Sequence, residues 1–82
     1  MSAYSDDPRV VINGDGSARI REGVSGEGAW RVWHANVRGR LGWIVVNDGG
    51  QGHLRDDAGN TRQFDTVDDG IAAVIGPPRV TR

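Results

Sequence analysis

Apolar and polar positions alternate through the first two thirds of the chain and change to a helical spacing near its end. Val10-Val11-Ile12 is a short β-branched run, stopped by Asn13-Gly14-Asp15-Gly16. From Ala18 to Glu22, Ala18 and Ile20 alternate with Arg19 and Arg21, the pattern of a half-buried strand. Asn-Gly and Asp-Gly between two such runs predict a β-hairpin. After the glycine-rich stretch Gly23 to Gly28, Ala29 to Val37 carries the strongest strand signal, with Trp30, Val32, Trp33 and Val37 suited to a pleated surface. Arg38-Gly39 predicts a tight turn, and Leu41 to Asn47 returns as the next strand. Beyond the loop Asp48 to Gly52, His53-Leu54-Arg55 is expected as a short strand. Asp56 to Asn60 is expected as a turn, and Thr61 to Phe64 as another short strand.

The period then changes. Val67, Ile71, Val74 and Ile75 fall on one face of a helix. Thr66 is placed to cap it, with Asp69 three residues on in a capping-box-like arrangement. Asp68 and Asp69 suit the positive end of the helix. Gly76 stops it and Pro77-Pro78 forbid continuation. A helix of two to three turns is unstable alone and must dock on something. Consecutive strands followed by one helix give an α+β fold: a small antiparallel sheet of about five to six short strands, joined as hairpins or a meander, with one C-terminal helix packed on it. The division expected is a flexible leader over 1–9, one domain over 10–76 and a tail over 77–82.

At 82 residues the chain suffices for one domain with a limited core. Small domains often gain their margin from disulfides, metals or oligomerisation. With no cysteine, disulfides and thiolate metal sites are out. Oligomerisation is therefore the first candidate, and a homodimer is expected. No run approaches the roughly 20 apolar residues of a membrane span. Met1 to Pro8 does not read as a signal peptide, so a cytoplasmic protein with no membrane partner is expected.

Ten basic residues against eleven acidic ones leave a formal net charge of -1, which disfavours nucleic acid as a partner. Every basic residue is arginine. Abundant Gly, Ala, Val and Asp beside scarce Phe explain that by codon bias as well as by any selected role. The Asp/Gly loops fail the calcium-loop pattern. Counted from Asn13, the sixth position is Ala18 and the twelfth Val24, where Gly and Glu are required. Gly49-Gly50-Gln51-Gly52 has no lysine to complete a phosphate loop. Ser5, Ser17 and Ser25 sit outside the strands without a nucleophile elbow. His34 lies mid-strand, and His53 lies near Asp56 and Asp57. No catalytic residue, metal or cofactor is expected, and the protein reads as non-enzymatic.

A two-residue turn at Arg38-Gly39 pairs Val37 with Arg40, Trp33 with Ile44, His34 with Trp43 and Val32 with Val45. Alternation then puts Trp30, Val32, Leu41, Trp43 and Val45 on one face, assigned to the helix and core. The other face carries Trp33, Ile44 and Val46 with Arg31 and Arg40, and a single helix cannot cover it. Either the N-terminal hairpin folds across this face, or a partner protein or second copy covers it. Trp and Arg among aliphatics match interface hot spots, so these five residues form the candidate binding site. The expected function is a small protein-interaction module, similar in its plain composition to accessory or inhibitor proteins of phages and plasmids.

A rival reading is a sheet-based nucleic-acid binder using Arg31, Arg38, Arg40, Trp33 and Arg55. Trp30-Arg31-Val32, then Arg38-Gly39-Arg40, and later Phe64-Asp65-Thr66 ahead of Ile71-Ala72-Ala73, follow one another in an order that resembles the arm-type, AP2-like DNA-binding domains of phage integrases. The resemblance covers about half of the chain. It implies a three-stranded sheet, backed by one helix, that reads a duplex. The chain departs from that layout in the strand at Trp43 to Asn47, the absence of lysine and the slightly negative charge.

Overall fold

The computed structural model describes residues 3–21, 23, 28–47 and 52–78. Five strands, β1 (Val10–Ile12), β2 (Ala18–Ile20), β3 (Trp30–Val37), β4 (Arg40–Asn47) and β5 (Gly52–His53), precede one helix, α1 (Val67–Ile75). The strands form a single antiparallel sheet in the order β1-β2-β3-β4-β5. The helix packs on one face of it. This is the α+β layout that the alternation and the single helical stretch predict.

Local chemistry sets the hairpins. In the β1–β2 turn, the Asn13 N–H donates to the Ser17 carbonyl at 2.8 Å, and Gly16 takes the positive φ of 89°. The Asp15 carboxylate accepts from the Ser17 hydroxyl at 2.6 Å and from its N–H at 2.9 Å. These bonds hold the Asp15 carboxyl below its ordinary pKa. In the β3–β4 turn, Arg38 (φ 56°) and Gly39 (φ 81°) both adopt left-handed backbone, as a two-residue hairpin of the primed type demands. Arg38 is stabilised there by a bond from its Nη2 to Asn60 Oδ1 at 2.7 Å, and the Gly39 N–H donates to Asn36 Oδ1 at 2.9 Å. The resulting register pairs Val37 with Arg40, His34 with Trp43, Trp33 with Ile44 and Val32 with Val45, as the two-residue turn requires.

The sixth strand does not form. Leu54 continues β5 by donating to the Val45 carbonyl, and Phe64 exchanges both backbone bonds with Trp43 further down the same edge of β4. Between them, residues 55–61 leave the sheet as a pinched loop. The loop is closed by the Arg55–Thr61 bridge and by the Arg62 N–H on the Leu54 carbonyl. Thr61 to Phe64 therefore contributes isolated bridges, because the loop interrupts what would otherwise be one longer edge strand.

The helix spans the expected residues. Thr66 is its N-cap in extended backbone (φ -134°), with Oγ1 accepting the Asp69 N–H at 3.1 Å. Gly76 ends it at φ 76°, donating to the Ala72 carbonyl. Ile71 is wholly buried, and Val67, Val74 and Ile75 pack half-buried on the core. Gly70 makes the closest approach: a Cβ there would sit 2.9 Å from Val32 Cγ1 and 3.3 Å from Val45 Cγ2. The missing side chain lets the helix lie down on the central strands. Thr66→Ala removes the one side-chain acceptor of the first turn and is expected to cost about 1 kcal/mol. The check is chemical denaturation, and an unchanged midpoint would remove the cap from the account.

The core stacks in rows under the helix: Val10, Ile20 and Trp30, then Ala18, Val32 and Val45, with Phe64 and Ile71 above. Leu41, assigned to this face, has the right alternation but is 64% exposed. A nine-residue helix is about 14 Å long, whereas an eight-residue strand runs about 26 Å. The hairpin tip therefore extends past the helix, and Leu41 goes with it.

Residues 3–9, expected as a flexible leader, are packed. Tyr4 is 2% exposed and belongs to the core. Its hydroxyl donates to the Gly76 carbonyl, and burial, followed by the negative charge of Asp68, raises its pKa. Asp7 is buried and salt-bridged to Arg9 at 2.7 Å. Arg9 Nη2 also donates to the Pro77 carbonyl at 3.2 Å, and the Ala3 N–H donates to Asp68 Oδ2 at 3.0 Å. The segment is tied to both ends of α1, which no local pattern in a polar run reveals. Of the expected tail, Pro77 and Pro78 are described and residues 79–82 lie outside the described residues.

Candidate functional site: the open face of the sheet

Strand alternation sends Val11, Arg19, Arg31 and Val46 to the face opposite the helix, and register lines them up in one row across the sheet, ending at His53. The next row carries Trp33 and Ile44. Arg40 lies on the same face at the tip of the hairpin, opposite Val37, and its carbonyl accepts from Gln63 Nε2 at 2.8 Å. All five expected site residues thus share one face, in two clusters: Arg31, Trp33, Ile44 and Val46 together, and Arg40 at the far end.

Their exposures differ. Trp33 is 43% exposed, and the Arg31 guanidinium lies over its ring, 5.2 Å from the centroid. Val46 is half-buried. Ile44, expected as a contact residue, is only 4% exposed beside its cross-strand partner Trp33. It supports the surface from within.

The N-terminal hairpin does not fold across this face. It extends the sheet sideways, with Arg19 directly opposite Arg31. The N-terminal hairpin is therefore not the cover of this face. Sequence alternation already turned Arg19 outward. Only the strand order places it beside Arg31, so Arg19, Val11 and His53 were missed as members of the site.

The sheet separates charge. The five strands contain Arg19, Arg31 and Arg40 and no acidic residue, and all three arginines fall on the open face by alternation. The described acidic groups sit elsewhere: Asp65, Asp68 and Asp69 at the start of the helix, Asp6 and Asp7 in the N-terminal segment, and Asp15, Asp56 and Asp57 in turns. Among the described residues, the strand positions of this face therefore carry arginines and no carboxylate.

The other chemistry-bearing groups do not converge. His34 is on the helix side of the sheet, its ring 5.0 Å from that of Trp43. His53 faces Val46 in the register of the open face. Among the described residues no three His, Cys, Asp or Glu side chains gather as a metal site, and no helix is long and apolar enough to cross a membrane. Gly49 to Gln51 of the glycine run, and Arg79 and Arg82, lie outside the described residues. Two shallow hollows follow the Arg62 to Asp65 segment, one toward Ala72 and Ala73 and the other toward Arg40 and Gly42. Neither is lined by Trp33, Arg31 or Val46.

Among the described residues, the architecture is thus a five-stranded antiparallel sheet with one helix on one face and arginines on the other. Comparison with protein-family models, with curated proteins and with solved structures finds no match.

Proposed function

We propose that this chain works by binding rather than catalysis, as a small interaction module whose contact surface is the open sheet face. The observation that carries the reading is Trp33, 43% exposed on a face opposite the helix that no other described strand or helix covers. Trp and Arg side by side are the residues most often found to dominate binding energy, and Arg31 over Trp33 supplies that pair. A protein partner suits this composition. A second copy meeting the first face to face suits it less, because a two-fold interface sets the same patch against itself. The Arg19–Arg31 rows would then oppose each other, at a cost in like-charge repulsion.

The tryptophans provide the test. Trp30 is buried, Trp43 half-buried and Trp33 exposed, so fluorotryptophan labelling followed by fluorine NMR separates the three positions. On titration with the protein and nucleic-acid fractions of the native host, the Trp33 resonance is expected to shift or broaden ahead of the other two. Trp33→Asp is expected to keep a cooperative melt and abolish the response of the remaining resonances. Uniform broadening, or a response led by Trp43, places the contact elsewhere and ends this reading.

A further inference from the structure

We infer that Asn13–Gly14 is a self-modification site, where Asn13 converts through a succinimide to aspartate and isoaspartate, and that the folded β1–β2 turn holds the site shut through Ser17. The inference stands apart from the binding role of the open face. It starts from a glycine that the turn does not need. The loop between Asn13 and Ser17 is closed by the Asn13 N–H on the Ser17 carbonyl and the Gly16 N–H on the Asn13 carbonyl. A loop of this length takes a left-handed residue at its last position, and Gly16 supplies it at φ 89°. Gly14 does not take a positive φ, and a Cβ built on it meets nothing within 4 Å beyond its chain neighbours. A side chain fits there. What glycine supplies is a main-chain nitrogen with no side chain beside it, next to a carboxamide, at an exposed hairpin tip.

The chemistry consumes only water. The Gly14 nitrogen gives its proton to solvent base and attacks Asn13 Cγ. The N–Cγ bond forms, the Cγ–Nδ2 bond breaks, and Nδ2 takes up a proton and leaves as ammonia. Water then opens the ring. Attack at Cγ gives aspartate, and attack at the original main-chain carbonyl gives isoaspartate, whose main chain runs through Cβ and Cγ. In the folded turn the Asn13 N–H and carbonyl are both engaged, which fixes the backbone on either side of its Cα. The leaving group is engaged as well: Nδ2 donates to Ser17 Oγ at 3.0 Å. The Ser17 hydroxyl is itself oriented by donating to Asp15 Oδ1 at 2.6 Å. Ring closure swings the side chain and the Gly14 nitrogen toward each other, so these bonds open first. Once isoaspartate forms, the carbonyl that accepted the Gly16 N–H has left the main chain and the donor to Ser17 is gone. An opening of the hairpin long enough for reaction is thereby recorded permanently.

The experiment incubates the full chain in alkaline buffer, folded and in urea, and follows each asparagine by mass spectrometry of tryptic peptides. Asn13 falls in the peptide between Arg9 and Arg19, where conversion adds the mass difference between an acid and an amide. Isomerisation of Asp15 in the same peptide adds none. In urea Asn13 is expected to convert ahead of Asn36, Asn47 and Asn60, which precede Val37, Asp48 and Thr61. In the folded chain it is expected to convert about tenfold or more slowly than in urea, because several hydrogen bonds close the site and each shifts the opening equilibrium about two- to tenfold. Ser17→Ala is expected to speed conversion of the folded chain about two- to tenfold and to leave the rate in urea unchanged. Gly14→Ala is expected to melt as wild type and to slow conversion in both conditions. The converted chain, separated on an anion exchanger by its added charge, is expected to melt below the unmodified one. Circular dichroism confirms that each variant is folded during incubation.

Conversion of another asparagine first in urea, wild-type rates in Gly14→Ala, or a Gly14→Ala melt below wild type overturns the site. Equal rates for Asn13 in the folded and urea-unfolded chain, or a folded Ser17→Ala that converts at the wild-type rate, overturns the guard. Equal melting of the converted and unmodified chains would show that the turn re-forms and that nothing is recorded.

Discussion

Ile44→Asp is expected to unfold the protein, whereas Trp33→Asp, on the paired residue of the neighbouring strand, is expected to leave it folded. The two positions face each other across β3 and β4 on the same side of the sheet. Ile44 is 4% exposed and Trp33 is 43% exposed. A carboxylate at position 44 is taken out of water with no basic partner built for it, and an uncompensated buried charge costs several kcal/mol. Domains hold roughly 0.05–0.15 kcal/mol of stability per residue, so a chain of 82 residues has on the order of 4–12 kcal/mol to lose. The expected reading is a melting temperature lowered by about 20 °C or more, or no cooperative transition at all. At position 33 the new carboxylate stays in water and removes only half-covered indole surface. Equal stability of the two variants would mean that Ile44 lies on the surface and that the open face is shallower than described.

Tyr4→Ala is the second large effect, expected at about 3–5 kcal/mol by analogy with other buried aromatics. A loose leader predicts no effect, so the measurement separates the two descriptions of residues 3–9 cleanly. Tyr4 fills part of the core beneath the helix and bonds through its hydroxyl to the Gly76 carbonyl at the helix end. Truncation leaves a cavity, orphans that bond and loosens the segment that carries Asp7 and Arg9. Tyr4→Phe keeps the ring and gives up the hydroxyl bond alone, for which about 0.5–1.5 kcal/mol is expected. Denaturant unfolding of the two variants beside wild type gives both numbers. An unaltered midpoint in Tyr4→Ala would show that the segment contributes nothing to the folded state.

The two predictions concern positions that differ in how visible they were beforehand. Trp33 and Ile44 were placed on one face by alternation and by the Arg38-Gly39 turn, and the register bears out that placement. Their unequal burial was not visible, because exposure depends on what each side chain meets and not on which way it points. Tyr4 gave no signal. Ser5, Asp6 and Asp7 around it are polar, and the carbonyl that its hydroxyl reaches is 72 residues away. Gly70 was equally silent: within the helical pattern it is merely a weak helix former, and its purpose lies in the distance to Val32 and Val45.

What could be read from residue order alone was what neighbouring residues enforce on one another. Thr66, Asp69 and Gly76 bound the helix through bonds spanning a turn or less. Arg38-Gly39 sets the β3–β4 register through two backbone angles, and every pairing in that hairpin follows from it. Assembly settled the rest: the N-terminal hairpin lies beside β3 and not across it, the edge strand breaks at residues 55–61, Leu41 overshoots the helix, and Arg19 comes to lie opposite Arg31. The physical reason is range. Dihedral preferences and short hydrogen bonds act over a few residues and are written in order along the chain. Burial and charge density belong to surfaces that segments distant in sequence create when they meet.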